Sequence, residues 1–183
     1  VGPANQYTGF FPYVDRLWFG ESFRYNEMRP DEWFVTFSGI PFGQMSEMLQ
    51  DGGNPYRGML YGMTAREPME SVPSQLWKVW DAFGIKDSRM MGYWVSYNPV
   101  KTGRNDVLAT SFVKDGKVMI AIASWAKKDS DIKLRIDWEK LGIDADKARL
   151  TAPDIKGFQE GFSLSPKDKI KVPKDKGFIF ILE

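Results

Sequence analysis

Two strand-like runs, 106–113 and 118–125, stand on either side of Lys114-Asp115-Gly116-Lys117. Asp-Gly between two such runs signals a β-hairpin, because the turn needs a positive φ and Gly supplies it without steric cost. The two runs must then pair antiparallel. Residues 132–138 alternate Ile, Leu, Ile and Trp with Lys, Arg and Asp, which marks a strand with one buried and one solvated face. A short helical turn at 138–142 and strand-like runs at 148–152, 170–172 and 177–182 complete a mostly antiparallel set. The expected architecture of this part is a small antiparallel β-sandwich.

Upstream of the hairpin the chemistry changes. The first hundred residues hold all seven tyrosines, five of the seven tryptophans and eight of the nine methionines, yet only two of the sixteen lysines. They carry 8 Lys+Arg against 11 Asp+Glu, whereas the remainder carries 17 against 13. The turn-rich stretch 98–105 is the natural boundary, giving two domains, 1–100 and 101–183. In the first, 13–19 reads as a buried strand and 33–37 as the start of a strand or a helix. Pro30-Asp31-Glu32 sits where a helix cap and first turn belong. The spacing of Phe42, Met45, Met48 and Leu49 predicts a short amphipathic helix over 42–49. Residues 58–63 read as a second buried strand, and 74–83 as a helix. Strand, helix, strand, helix implies a parallel α/β layer, so the fold class is α/β plus all-β.

The chain of 183 residues contains no His and no Cys, which removes imidazole bases, thiol nucleophiles and most transition-metal sites. Chemistry falls to carboxylates, Lys, Tyr, Ser or Arg, and no cofactor or metal is expected. A formal net charge of +1 gives no reason to expect nucleic acid as a partner. No run of 18 apolar residues exists to span a membrane. The chain opens on Val-Gly-Pro-Ala-Asn-Gln, without an initiator Met or a signal peptide, and reads as a fragment or a mature product. No phosphate loop, dinucleotide-binding glycine turn or nucleophile elbow is present, which argues against nucleotide hydrolysis and triad-type acyl transfer.

Strands of a parallel layer deliver active groups at their carboxyl ends, and Glu21 stands there, after Trp18, Phe19 and Gly20. A carboxylate beside Trp18, Phe19 and Phe23 is partly desolvated, which favours the neutral form and suits proton donation. The plainer reading is a surface glutamate that closes a turn or pairs with Arg24. Asp15 and Arg16 are charges inside a strand and need partners if buried. Trp18, Trp33, Tyr56, Tyr61, Tyr93, Trp94 and Tyr97 offer flat faces of the kind sugar rings stack on, although most aromatics in such a layer are core. The turn from Asp51 to Asn54 either places polar groups over a cleft or is a plain loop.

Several segments carry a resemblance: Tyr-Val-Asp-Arg-Leu-Trp-Phe-Gly-Glu (13–21), Ser-Gly-Ile-Pro-Phe-Gly (38–43), Glu-Met-Leu-Gln-Asp-Gly-Gly-Asn-Pro (47–55), Arg-Gly-Met-Leu-Tyr-Gly-Met (57–63) and Ala-Pro-Asp-Ile-Lys-Gly-Phe-Gln (152–159). With them the chain resembles bacterial, often Bacteroidetes, proteins similar to glycoside hydrolase family 123. The resemblance implies the C-terminal segments of a (β/α)8 barrel followed by an accessory β-sandwich, a carbohydrate substrate, and a periplasmic or secreted location. A whole barrel takes roughly 250 residues, so the N-terminal remainder of the same protein is the implied partner. Family 123 uses an adjacent Asp-Glu pair, assisted by the substrate's acetamido group. The only such pair here, Asp31-Glu32, sits at a helix start, and the catalytic role is not carried over to it. The expected function is glycoside hydrolysis, which commonly uses two acids and needs neither histidine nor metal. Glu21 is the candidate catalytic residue, with Asp15, Arg16, Trp18, Asp51, Asn54 and Tyr61 as candidate substrate contacts. The alternative is a non-catalytic carbohydrate-binding or structural accessory protein.

Overall fold

A computed structural model of the chain describes residues 9, 12–13, 15–17, 23–46, 53–64 and 73–183. Near the N-terminus, β1 (Arg16–Leu17) lies parallel to a later strand, Arg16 opposite Met45 and Leu17 opposite Ser46. Tyr13, expected within a buried strand, is 84% exposed, and extended pairing begins only at Arg16. Positions 18–21 of that expected strand lie outside the described residues.

The run at 33–37 is helical. Its start, α1 (Pro30–Glu32), has Pro at a position where a missing N–H costs nothing. The Glu32 carboxylate accepts from the Arg29 N–H at 2.7 Å, the reach-back contact of a capping box. The chain continues through a π-helical turn over Trp33–Phe37, closed by the Ser38 N–H donating to the Trp33 carbonyl at 3.0 Å. The helix expected over 42–49 is replaced by a 3₁₀ turn, Ile40–Phe42, and by β2 (Met45–Ser46). Gly43, at φ 72°, ends the turn before a helix can propagate. Positions 47–49 are not among the described residues.

The strand expected over 58–63 is instead α2 (Pro55–Met59) and the turn after it. Asn54 caps this helix by accepting from the Arg57 N–H at 3.0 Å, and Pro55 fills the first helical position. Met59, Leu60 and Met63 are all buried, so the apolar run had no period by which to tell helix from strand. The helix expected at 74–83 is present as α3 (Pro73–Phe83), which turns Leu76, Val79, Trp80 and Phe83 onto the core and stops at Gly84, φ 77°. Among the described residues, parallel pairing is confined to β1 and β2.

The rest is built on one antiparallel sheet. The remaining strands are β3 (Arg89–Met91), β4 (Val100–Lys101), β5 (Val107–Lys114), β6 (Lys117–Ser124), β7 (Ser130–Ile132), β8 (Arg135–Ile136), β9 (Leu150–Ala152), β10 (Phe162–Leu164), β11 (Ile170–Val172) and β12 (Gly177–Leu182), with α4 (Trp138–Leu141) after β8. Six of them form the sheet in the order β10-β9-β12-β6-β5-β3. The hairpin sets its register, with Lys114 opposite Lys117 and Val107 opposite Ser124 across the turn at Gly116. Because β3 pairs with β5, this sheet starts upstream of the composition break at 100.

Both faces of the sheet are buried, and alternation along β6 assigns them. Met119, Ala121 and Ala123 join Leu108, Phe112 and Ile179 in a core shared with Trp33, Met59, Leu60, Tyr61 and Leu76. Val118, Ile120 and Ile122 join Val107, Phe180, Leu182 and, from β9, Leu150 and Ala152 in a second core, closed by residues of β4, β7, β11 and α4. The pairs β4–β8 and β11–β7 make the outer strands on that side. The first core welds the helical N-terminal part to the sheet.

Candidate functional site

Of the candidate residues, Glu21, Trp18 and Asp51 lie outside the described residues. Asp15 is exposed, and the Arg16 backbone pairs with Met45. Asn54 and Tyr61 are buried, and both belong to a polar junction under the segment 23–30, the stretch that continues from Glu21.

That segment has no strand partner among the described residues, and four of its carbonyls take donors from side chains. Tyr25 O accepts from Trp33 Nε1 at 3.1 Å and from Arg57 Nη1 at 2.9 Å. Asn26 O accepts from the same Arg57 Nη1 at 2.9 Å, and Met28 O from Trp125 Nε1 at 2.8 Å. Pro30 O lies 3.1 Å from the Tyr61 hydroxyl and 3.0 Å from that of Tyr93. The two hydroxyls are themselves 2.9 Å apart, so two protons serve three contacts.

Arg57 is the centre of the junction. It is 1% exposed, and its guanidinium also donates through Nε and Nη2 to Ser124 O, both at 3.2 Å, and through Nη2 to Asp175 Oδ1 at 2.9 Å. The guanidinium carbon lies 4.5 Å from the centre of the Trp125 ring. Burial pushes the Arg57 pKa down, and the Asp175 carboxylate pulls it back up. Asp175 adopts φ 57°, a left-handed conformation that Asp tolerates better than most residues. Its backbone carbonyl accepts from Asn54 Nδ2 at 2.9 Å, and the same amide reaches Asn26 Oδ1 at 2.8 Å.

The aromatic candidates mostly stack on each other. Trp33 and Tyr61 lie 6.0 Å apart at 9°, and Tyr61 and Trp94 lie 5.6 Å apart at 8°. Tyr56 lies against Phe158, ring centres 4.4 Å apart, and Tyr97 is exposed with Arg89 and Lys140 over its ring. Burial pushes the Tyr93 hydroxyl up to about 12, and Tyr61, buried deeper and next to Tyr93, higher still. Both therefore stay neutral donors at any working pH. The carboxylates of Asp31 and Glu32 are engaged around Arg29: Asp31 Oδ2 is 3.1 Å from Arg29 Nη2, and Glu32 caps the helix start.

Sequence reasoning named Asn54 and Tyr61 as candidate substrate contacts, whereas here their polar atoms are engaged within the protein, and it passed over Arg57 and Trp125, which do most of the holding. The available signal was Asn-Pro at 54–55, which starts a helix and places Arg57 one turn in.

Family comparison matches residues 1–68 to the TIM-barrel domain of glycoside hydrolase 123, and residues 72–183 to the C-terminal domain of the same family. The chain belongs to glycoside hydrolase family 123. The two matched ranges meet between 68 and 72, just ahead of α3, and the Arg57 junction joins the two parts. Among curated proteins none matches the chain. Similar solved structures include a GH27 β-L-arabinopyranosidase from Geobacillus stearothermophilus and a variant of it in complex with arabinose. Each is 13% identical with a TM-score of 0.46; the match covers 100% of this chain and 48% of theirs, so the chain spans about half their length.

Proposed function

We propose that this chain is the C-terminal portion of a glycoside hydrolase that cleaves glycosidic bonds of a poly- or oligosaccharide by carboxylate acid/base chemistry. The observation that carries the reading is the pair of family matches, which together take in both halves of the chain. In this reading Glu21 is the general acid or a substrate-binding carboxylate, and Asp15, Arg16, Trp18 and Asp51 are substrate contacts. Asn54 and Tyr61 act from beneath. Their polar atoms are engaged by Arg57, Asn26, Asp175, Pro30 and Tyr93, and they fix the 23–30 segment that continues from Glu21. In this reading a second carboxylate comes from barrel strands upstream, because glycosidic hydrolysis commonly uses two acids and the Asp31-Glu32 pair stands at a helix start beside Arg29.

The test is hydrolysis of aryl glycosides, N-acetylhexosaminides and galactosides included, by this chain and by a protein extended upstream. Turnover is expected from the extended form. Glu21→Gln in that form lowers kcat by about 10²- to 10⁴-fold with an unchanged unfolding temperature. An unchanged kcat removes Glu21 from the mechanism, and an inactive extended form favours the binding or accessory reading.

A further inference from the structure

A groove of about 580 Å³ opens beside the β12 end of the sheet, between the loop 154–160 and the turn that carries Asp175. Both walls are held rigidly. Gln159 uses its side chain as a strand would use its backbone: Nε2 donates to Pro153 O at 2.8 Å and Ile179 O at 2.9 Å, and Oε1 accepts from the Ile179 N–H at 2.8 Å. The Tyr56 hydroxyl donates to Phe158 O at 2.8 Å and pins the same loop from α2. The facing turn is fixed by Arg57 and Asn54 through Asp175.

The lining combines aromatic rings with charges that have no ion-pair partner among the described residues. Phe162 is 37% exposed at the mouth, braced at 87° to Phe178 and 85° to the buried Phe180. Asp154, Lys156, Glu160 and Lys176 also line the groove, all exposed, and none forms an ion pair with a described residue. Two carboxylates and two ammonium groups balance, which selects against a polyanion or a polycation. They present acceptors and donors around an apolar ring, the chemistry that fits a neutral sugar: C–H faces on the phenyl group and hydroxyls to the carboxylates and amines.

We infer that this groove is a carbohydrate-binding site on the C-terminal part, which takes neutral glycosyl units of a chain. The choice of a sugar as occupant rests on the hydrolase reading above; the site itself uses none of the residues given to catalysis. A rigid groove loses little conformational entropy on binding, so modest contacts suffice for useful affinity.

The test is isothermal titration of the chain with cellohexaose, N-acetylchitohexaose and mannohexaose, repeated with Phe162→Ala, Asp154→Asn and Glu21→Gln. At least one oligosaccharide binds tighter than about 1 mM, Phe162→Ala and Asp154→Asn each weaken it about tenfold, and Glu21→Gln leaves it unchanged. Should Phe162→Ala fail to fold, Asp154→Asn and Glu160→Gln, both at exposed side chains, carry the same comparison. Absence of binding by all three sugars overturns the inference, as does binding that is lost in Glu21→Gln and kept in the groove variants. Groove-dependent binding alongside an inactive extended protein keeps this site and removes the catalytic reading. Hydrolysis without groove-dependent binding does the reverse.

Discussion

Replacing Arg57 by Met keeps most of the side-chain volume and removes the guanidinium, so the loss measures polar contacts and not a cavity. Five hydrogen bonds disappear, to the carbonyls of Tyr25, Asn26 and Ser124 and to Asp175. Removing one partner of a buried ion pair costs about 3–5 kcal/mol. That figure is lowered here because the Asp175 side chain is 34% exposed and regains water. Buried carbonyls left short of a donor cost about 1–3 kcal/mol each, and part of that is recovered by local opening of 23–30. The net expectation is about 4 kcal/mol, and at about 2–4 °C per kcal/mol for a chain of this size the unfolding temperature falls by about 8–16 °C. Thermal and urea unfolding followed by circular dichroism supply the magnitude, and hydrogen exchange supplies the location: amides of 23–30 lose protection first. Arg57→Lys recovers less than half of the loss, because a point ammonium cannot serve acceptors in several directions. A loss under about 1 kcal/mol, or unchanged protection of 23–30, refutes the account of Arg57 as the hub.

Three further outcomes follow from the same geometry. Tyr61 and Tyr93 hold their protons above the ordinary tyrosine value, so their stabilisation is complete below the unfolded pKa of about 10 and is lost above it, that of Tyr93 as pH rises through about 12 and that of Tyr61 at higher pH still. Urea midpoints across that window fall in the native sequence and fall less in a Tyr61→Phe/Tyr93→Phe variant; equal slopes contradict the assignment. Asn54→Ala loses the cap and two donated bonds, about 2 kcal/mol, whereas Asn54→Asp keeps the cap and loses only the donated bonds, which the difference in urea midpoint resolves. Gly177→Ala drives a methyl into the carbonyl of Ile122 on β6, so β12 must shift, with a cost of about 3 kcal/mol or more by urea unfolding; a near-neutral result there means the strand pairing is looser than the register shows.

The hairpin, the β11 and β12 runs and α3 were legible from their residues because each carries a local signal: a glycine turn, a two-residue alternation or a helical stripe. The N-terminal part was less legible. Around 58–63 no charged residue breaks the run and the period is silent, so only the Asn-Pro start distinguishes helix from strand. Around 42–49 the spacing looked helical, yet the positive φ at Gly43 stops the turn. β3, β4 and β10 are two or three residues long and exist through pairing with distant strands, a cause that no local pattern carries.

The same division holds for the site. Absence of His and Cys, the Glu21 neighbourhood and the family segments were properties of the sequence alone, because residue identity limits chemistry without any fold. Which polar groups hold and which remain free was decided by the tertiary structure. Arg57, Trp125 and Asp175 lie 50 to 118 positions apart in the chain and meet only because α2 packs on the end of β6 beside the turn before β12. A buried guanidinium needs several acceptors at once, and only a closed core can bring them together from segments that far apart.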